Sequence, residues 1–225
     1  MITLYRPSGY DSPRASSFAG RSVDDKPLDV ENGSSFKEID TGRVFRYDKE
    51  NNLWIEQKST SGGTGATEPY IEETYDADGN LIGAKLYGYT KIRDNLFADC
   101  TNLAHISLPE GLTSIGEGAF SGCTSLALTS LPESLRSIDG YAFYGCTNLA
   151  LTSLPEGITS MGRYAFFDCT SLTSITFKGT PTAIASNVFF GCTNLTNIKV
   201  PWAEGAVSGA PWGATNATIT YNYTE

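Results

Sequence analysis

TNLAHISLPEGLTSIGEGAFSGC, residues 101 to 123, decides the fold. Its apolar positions Leu103, Ile106 and Leu108 spell an L-x-x-I-x-L strand ending at Pro109, followed by Ile115, an Ala119-Phe120 pair in a short turn or helix, and a closing Cys123. The rest of the repeat keeps a step of 23 residues at its isoleucine, phenylalanine and cysteine positions. Cys100, Cys123, Cys146, Cys169 and Cys192 are all the cysteines of the chain, and Ile92, Ile115, Ile138, Met161 and Ile184 keep the same step, as do Phe97, Phe120, Phe143, Phe166 and Phe189. A fixed period between about 20 and 30 residues signals a solenoid. One coil cannot bury its apolar face alone, so stacked coils share one core whose stability is close to a sum of neighbour interfaces. The fold class expected is mainly β with short helical turns.

The segments LPEGLTSIGEGAFSGCTSL and LPEGITSMGRYAFFDCTSL resemble the BspA-type leucine-rich repeats common in surface proteins of anaerobic and gut bacteria. The resemblance spans about Leu81 to Val200 and implies a right-handed leucine-rich-repeat solenoid of about six turns. A second resemblance lies upstream. PLDVENGSSFKEIDTGRVFRYDKENNLWIEQ is similar to a short module near the start of many phage structural proteins, head fibre and tail proteins among them, on its Asp40-Thr41-Gly42 turn, Tyr47-Asp48 pair and Trp54. It implies attachment and no chemistry.

Six regions are expected. Residues 1–34, with Pro7, Pro13 and Pro27 and no periodicity, read as an extended anchoring arm ordered by a partner or an oligomer. Residues 35–58 read as a small three-stranded β module around Phe36, Phe45, Tyr47 and Trp54. A Gly/Ser/Thr linker covers 59–69, a capping hairpin and the start of the first turn 70–90, the solenoid 91–200, and a C-terminal cap 201–225, with Trp202 and Trp212 as a lid over the last coil.

The 225 residues carry 16 basic against 25 acidic side chains, and residues 70–225 hold 7 of the former and 14 of the latter. An acidic solenoid repels phosphate backbones, so no nucleic-acid partner is expected. The start MITLYRPSGYDSPRASSF lacks an unbroken apolar segment and does not read as a secretory signal, and no stretch reaches membrane-spanning length, so no membrane insertion is expected.

Catalysis needs convergent acids, bases or nucleophiles, and the chain has one histidine, His105, on a predicted strand with no acid beside it. No catalytic residue, cofactor or metal is expected. Asp76-Ala77-Asp78-Gly79-Asn80 echoes the start of a calcium loop but lacks its later ligands, and a hairpin turn explains it. The cysteines share one repeat position with parallel side chains, which opposes disulfide geometry, so they read as a structural ladder of free thiols.

Two ladders are candidates for binding. Ser107, Ser130, Ser153, Thr176 and Lys199 form a polar ladder on the concave strand face, where His105 is followed at its own position by Leu128, Leu151, Ser174 and Asn197. Tyr144, Phe167 and Phe190 each follow the core phenylalanine, with Tyr141 and Tyr164 three residues before the first two. Contiguous exposed aromatics mark interaction surfaces.

The function expected is non-catalytic: a virion surface protein of a phage or prophage, a head fibre, decoration or tail-associated protein. Residues 1–58 would dock on virion proteins, and the solenoid would bind a cell-surface or mucosal glycan or protein. A homo-oligomer, often a trimer in such appendages, is expected at the virion surface. The alternative is a bacterial cell-surface or secreted adhesin of the BspA type.

Overall fold

The structure is a computed structural model that describes residues 69–224 and, before them, the backbone of five strands. These are β1 (Thr3–Pro7), β2 (Ser17–Gly20), β3 (Ser35–Glu38), β4 (Val44–Asp48) and β5 (Leu53–Glu56). Strands β3, β4 and β5 pair antiparallel, with Phe36 opposite Phe45 and Tyr47 opposite Trp54 in register. The aromatic core expected there and the linker up to residue 68 lie outside what is described. In the segment read as an extended arm, β2 pairs parallel with β3, while β1 pairs antiparallel with the next strand, β6 (Tyr70–Tyr75). The surface that β1 lies along is therefore this chain's own hairpin.

That hairpin joins β6 to β7 (Leu81–Tyr87). Its tip is closed by Asp76, whose Oδ1 accepts from the amides of Asp78 and Asn80 at 3.0 and 2.8 Å, while Gly79 supplies a φ of 82°. The carboxylate is held below its usual range chiefly by the Asn80 side chain, which donates to Oδ2. A self-satisfied Asx-type turn accounts for Asp76, Gly79 and Asn80 in this acidic pentad.

Ten short strands follow: β8 (Lys91–Ile92), β9 (His105–Ser107), β10 (Ser114–Ile115), β11 (Ser137–Ile138), β12 (Ser153–Leu154), β13 (Ser160–Met161), β14 (Ser174–Phe177), β15 (Ala183–Ile184), β16 (Asn197–Lys199) and β17 (Thr218–Thr220). They wind into a β-solenoid of about six turns. Strands β8, β10, β11, β13 and β15 make one parallel sheet that sets Ile92, Ile115, Ile138, Met161 and Ile184 side by side. A second strand face runs from β7 to β9, and again through β12, β14, β16 and β17. The hairpin's β7 thus continues the coil register and caps the first turn with a paired strand. No α-helix occurs among the described residues. The Ala-Phe segments are single turns closed by i→i+3 bonds, such as Ala119 N to Gly116 O at 3.2 Å.

The core is a set of ladders. Phe97, Phe120, Phe143, Phe166 and Phe189 stack with successive centroids 5.4, 5.3, 5.3 and 5.5 Å apart and planes within 14°. All five are buried. Each full burial contributes roughly 2–3 kcal/mol, and offset stacking adds about 0.5–1.5 kcal/mol per pair.

In two coils the strand face departs from the sequence reading. Ile106 and Ile175 have Thr129 and Thr152 at the equivalent place, and these threonines are exposed. Leu151, expected outward beside His105, is only 2% exposed, and Leu128 is half-buried. An L-A-L-T-S-L order moves the middle leucine one residue forward, so the backbone turns to bury it. The strand ladder breaks between β9 and β12 as a result.

At the far end Trp212 lies 23 residues after Phe189 and its carbonyl accepts from the Phe189 amide at 2.9 Å. Phe177, Trp202 and Trp212 close the last coil as a tilted aromatic cluster with centroids 5.3 to 6.3 Å apart.

Candidate functional site

Each coil turns a corner before its cysteine on left-handed backbone, and the first four coils turn another such corner before the phenylalanine. Before the cysteines stand Asp99, Gly122, Gly145, Asp168 and Gly191, with φ between 54° and 78°. Asp and Gly enter this region at low cost. The earlier corner is occupied by Asn95 (φ 55°) and Gly118 (φ 60°), then by Tyr141 (φ 57°) and Tyr164 (φ 58°). A bulky residue there carries a strain of about 1–2 kcal/mol.

Those tyrosines head the aromatic ladder. Tyr141 and Tyr144 are 5.9 Å apart, Tyr164 and Phe167 are 5.5 Å apart, and Tyr141 meets Tyr164 at 5.4 Å. Tyr144, Phe167 and Phe190 stack in sequence at 4.6 and 5.6 Å. Tyr141, Tyr144 and Phe190 remain 38%, 37% and 47% exposed, whereas Tyr164 and Phe167 are half-buried between them. Tyr164 is covered further by Arg163, whose guanidinium carbon lies 4.7 Å from the ring centroid and whose Nη2 donates to the hydroxyl at 3.0 Å. That bond, with a weaker one from Asn187, lowers the phenol's pKa.

Beside Tyr141 and Tyr144 the surface sinks into a groove of about 400 Å³ lined also by Asp94, Asn95, Glu117, Gly118 and Ser121. Sequence reasoning missed it because its walls come from three successive coils. The signal available was the repeat position before each left-handed corner, which reads Asp94, Glu117, Gly140, Arg163.

The polar ladder holds its register only in part. Ser153 pairs with Thr176, and Thr176 with Lys199, along β12, β14 and β16, all half-buried. Ser107 lies exposed on β9, and Ser130 is exposed but off any strand. Lys199 sits over the Tyr223 ring at 4.6 Å. His105 is exposed on β9, opposite Gly83 of β7.

The five cysteines carry free thiols, Cys100 half-buried and the others buried. Each of the last four donates its S–H to the carbonyl of the phenylalanine 26 residues earlier, at 3.0 to 3.1 Å. Burial pushes the Cys146 and Cys192 thiols up to about 12, and Cys123 and Cys169 are raised for the same reason. Thiols so placed are poor nucleophiles. Among the described residues no cluster of His, Cys, Asp or Glu is arranged to hold a metal, and no helix is long and apolar enough to cross a membrane.

The BspA type leucine rich repeat region family matches residues 90–205, in 6 copies. Similar solved structures include the T. pallidum leucine rich repeat protein TpLRR, 26% identical with a TM-score of 0.49, over 69% of this chain and 80% of that one. A leucine-rich repeat protein from Bacteroides ovatus is 23% identical with a TM-score of 0.46, over 63% of this chain and 43% of that one. The pneumococcal vaccine antigen PcpA is 26% identical with a TM-score of 0.44, over 56% of this chain and 32% of that one. The chain thus matches less than half the length of the latter two. No curated protein matches it.

Proposed function

The chain belongs to the BspA-type leucine-rich-repeat family, and from that premise we propose that it is a non-catalytic surface protein. Its solenoid binds a cell-surface or mucosal glycan or protein through the ladder of Tyr141, Tyr144, Phe167 and Phe190. The observation that carries this reading is the placement of Tyr141. It occupies a strained left-handed corner that Asn95 and Gly118 fill in earlier coils, yet the residue stays 38% exposed. Trp212 shares that backbone region at φ 50° but is fully buried and donates Nε1–H to the Ser208 carbonyl at 2.9 Å, so packing offsets its strain. Exposed tyrosine is favoured instead where a rigid amphipathic ring meets a partner.

The finer reading is a virion protein of a phage or prophage, with residues 1–58 docked on the particle and the solenoid outward. The N-terminal resemblance to head-fibre and tail proteins supports it. Assembly as a homo-oligomer would raise weak individual contacts through effective concentration. A bacterial cell-surface or secreted adhesin is the second reading, supported by the repeat family itself.

Particles banded by density gradient from an induced or infected culture decide between the two carriers by mass spectrometry. Co-banding at a fixed ratio to the major capsid protein supports the virion. Recovery on the cell envelope or in the medium, with none on particles, overturns it in favour of the adhesin.

A further inference from the structure

Tyr141 and Tyr164 share a repeat position and a backbone conformation, with φ of 57° and 58°. Their surroundings differ most at the residue that precedes each. The residue before Tyr164 is Arg163, which lays its guanidinium over the ring at 4.7 Å. The residue before Tyr141 is Gly140, which has no side chain to lay there. Along the same repeat position the coils supply Asp94, Glu117, Gly140 and Arg163: two acids, a gap, then a base. The groove next to Tyr141 has both carboxylates and no basic residue in its described lining.

A guanidinium matches those walls. It stacks on an aromatic face, as Arg163 does one coil later, and it donates in a planar fork to carboxylate oxygens. Asp94 is already oriented, since its Oδ1 accepts the Glu117 amide at 2.9 Å, and a carboxylate retains further acceptor positions beyond that one. Negative charge is concentrated here: Asp139 is raised by partial burial and then by the neighbouring Asp94. A cation entering the groove relieves that repulsion, whereas a neutral sugar would use the rings and leave it in place.

We propose that the groove between Asp94, Glu117, Tyr141 and Tyr144 takes a basic side chain, arginine foremost, presented by a segment of a partner protein. This rests on the reading of the solenoid as a binding module and names the partner chemistry at one part of it. The missing side chain at Gly140 is the specificity element: it leaves open for a ligand the place that Arg163 fills for Tyr164.

The test uses the full chain and three probes: a blocked peptide holding two arginines, the same peptide with citrulline at both positions, and a neutral oligosaccharide. Binding is read by calorimetry and by NMR shifts of the tyrosine rings. The arginine peptide is expected to bind at least about ten-fold more tightly than the citrulline peptide, the equivalent of one lost charge-assisted contact. Gly140→Arg should close the groove from within and abolish binding. A Cβ at Gly140 comes no nearer than 3.3 Å to the Arg163 carbonyl, which a small shift accommodates. Glu117→Gln, a conservative change at an exposed position, should weaken binding several-fold without affecting folding. Equal binding of the two peptides, or indifference to both substitutions, overturns the proposal. Binding of the oligosaccharide in the groove with none of the arginine peptide overturns it too, and assigns the groove to a glycan. Should neither peptide bind while the protein still adheres to cells through Phe167 and Phe190, the inference falls and the function proposed above stands.

Discussion

The thiol of Cys146 donates to the carbonyl of Phe120 at 3.0 Å, and that carbonyl also accepts the Cys123 amide at 3.1 Å. One oxygen therefore closes a turn within its own coil and ties that coil to the next. Repeated from Cys123 to Cys192, the bond aligns the phenylalanine stack with the sulfur ladder. Cys146→Ala should leave the carbonyl one bond short and a small void beside it, at a cost of about 1–2 kcal/mol. Urea denaturation of the variant, with unchanged m-value, is the check. No loss of stability would mean the thiol only fills space.

The same four buried thiols make the fold sensitive to alkali. In the unfolded chain they ionise near 9.0, whereas burial holds Cys146 and Cys192 neutral up to about 12. Above pH 9 the unfolded state therefore binds fewer protons than the folded state, and unfolding stability falls as pH rises. At pH 10 each such thiol is expected to remove about 1.4 kcal/mol. Denaturation curves at pH 8 and 10 should show the drop, and replacing the four by alanine should reduce it. An unaltered slope would place the sensitivity on the tyrosines.

Trp202 and Trp212 look equivalent in sequence and differ in the lid they form. Trp212 Nε1 donates to Ser208 O at 2.9 Å, while Trp202 Nε1, on a residue 6% exposed, has no partner. A buried unpaired donor carries a penalty of about 1–3 kcal/mol. Trp202→Phe removes that donor and should be neutral or stabilising despite the smaller ring. Trp212→Phe should destabilise by about 1–3 kcal/mol, since it loses both the bond and contact area. Thermal melts of the pair decide. Equal losses would show that ring volume alone governs the cap.

Much of this architecture was legible in the sequence because a repeat turns local composition into contact. Phe97 and Phe120 stack because they are 23 residues apart, and Asp76 to Asn80 closes a hairpin with its own side chains. What escaped depends on a phase or on distance. Leu151 is one residue out of step with Ile175, and burying it rotates the backbone in a way that a strict alternation does not anticipate. The pairing of β1 with β6 joins segments more than 60 residues apart, and no period connects them. Of the candidate site, the Tyr144–Phe167–Phe190 stack followed from spacing. The left-handed corners did not, because Asn95, Gly118, Tyr141 and Tyr164 share a conformation that their identities do not advertise.

Those corners give the sharpest separation of structure from function. Tyr141→Asn restores the residue type that Asn95 uses at the same φ, relieving about 1–2 kcal/mol of strain. It also loses ring contacts to Tyr144 and Tyr164, each worth about 0.5–1.5 kcal/mol. The two effects oppose, so stability should change by less than about 2 kcal/mol. Binding to cells or to the isolated partner has no such compensation, and loss of a central exposed aromatic should weaken it at least about ten-fold. Phe167→Ser and Phe190→Ser provide the contrast along the ladder, since Phe167 is half-buried and Phe190 is 47% exposed. The first should lower both stability and binding, the second chiefly binding. If binding per folded molecule is unchanged in Tyr141→Asn and Phe190→Ser alike, the ladder serves only to hold the coils together, and the partner must be sought on the strand face at Ser107, Ser153 and Thr176.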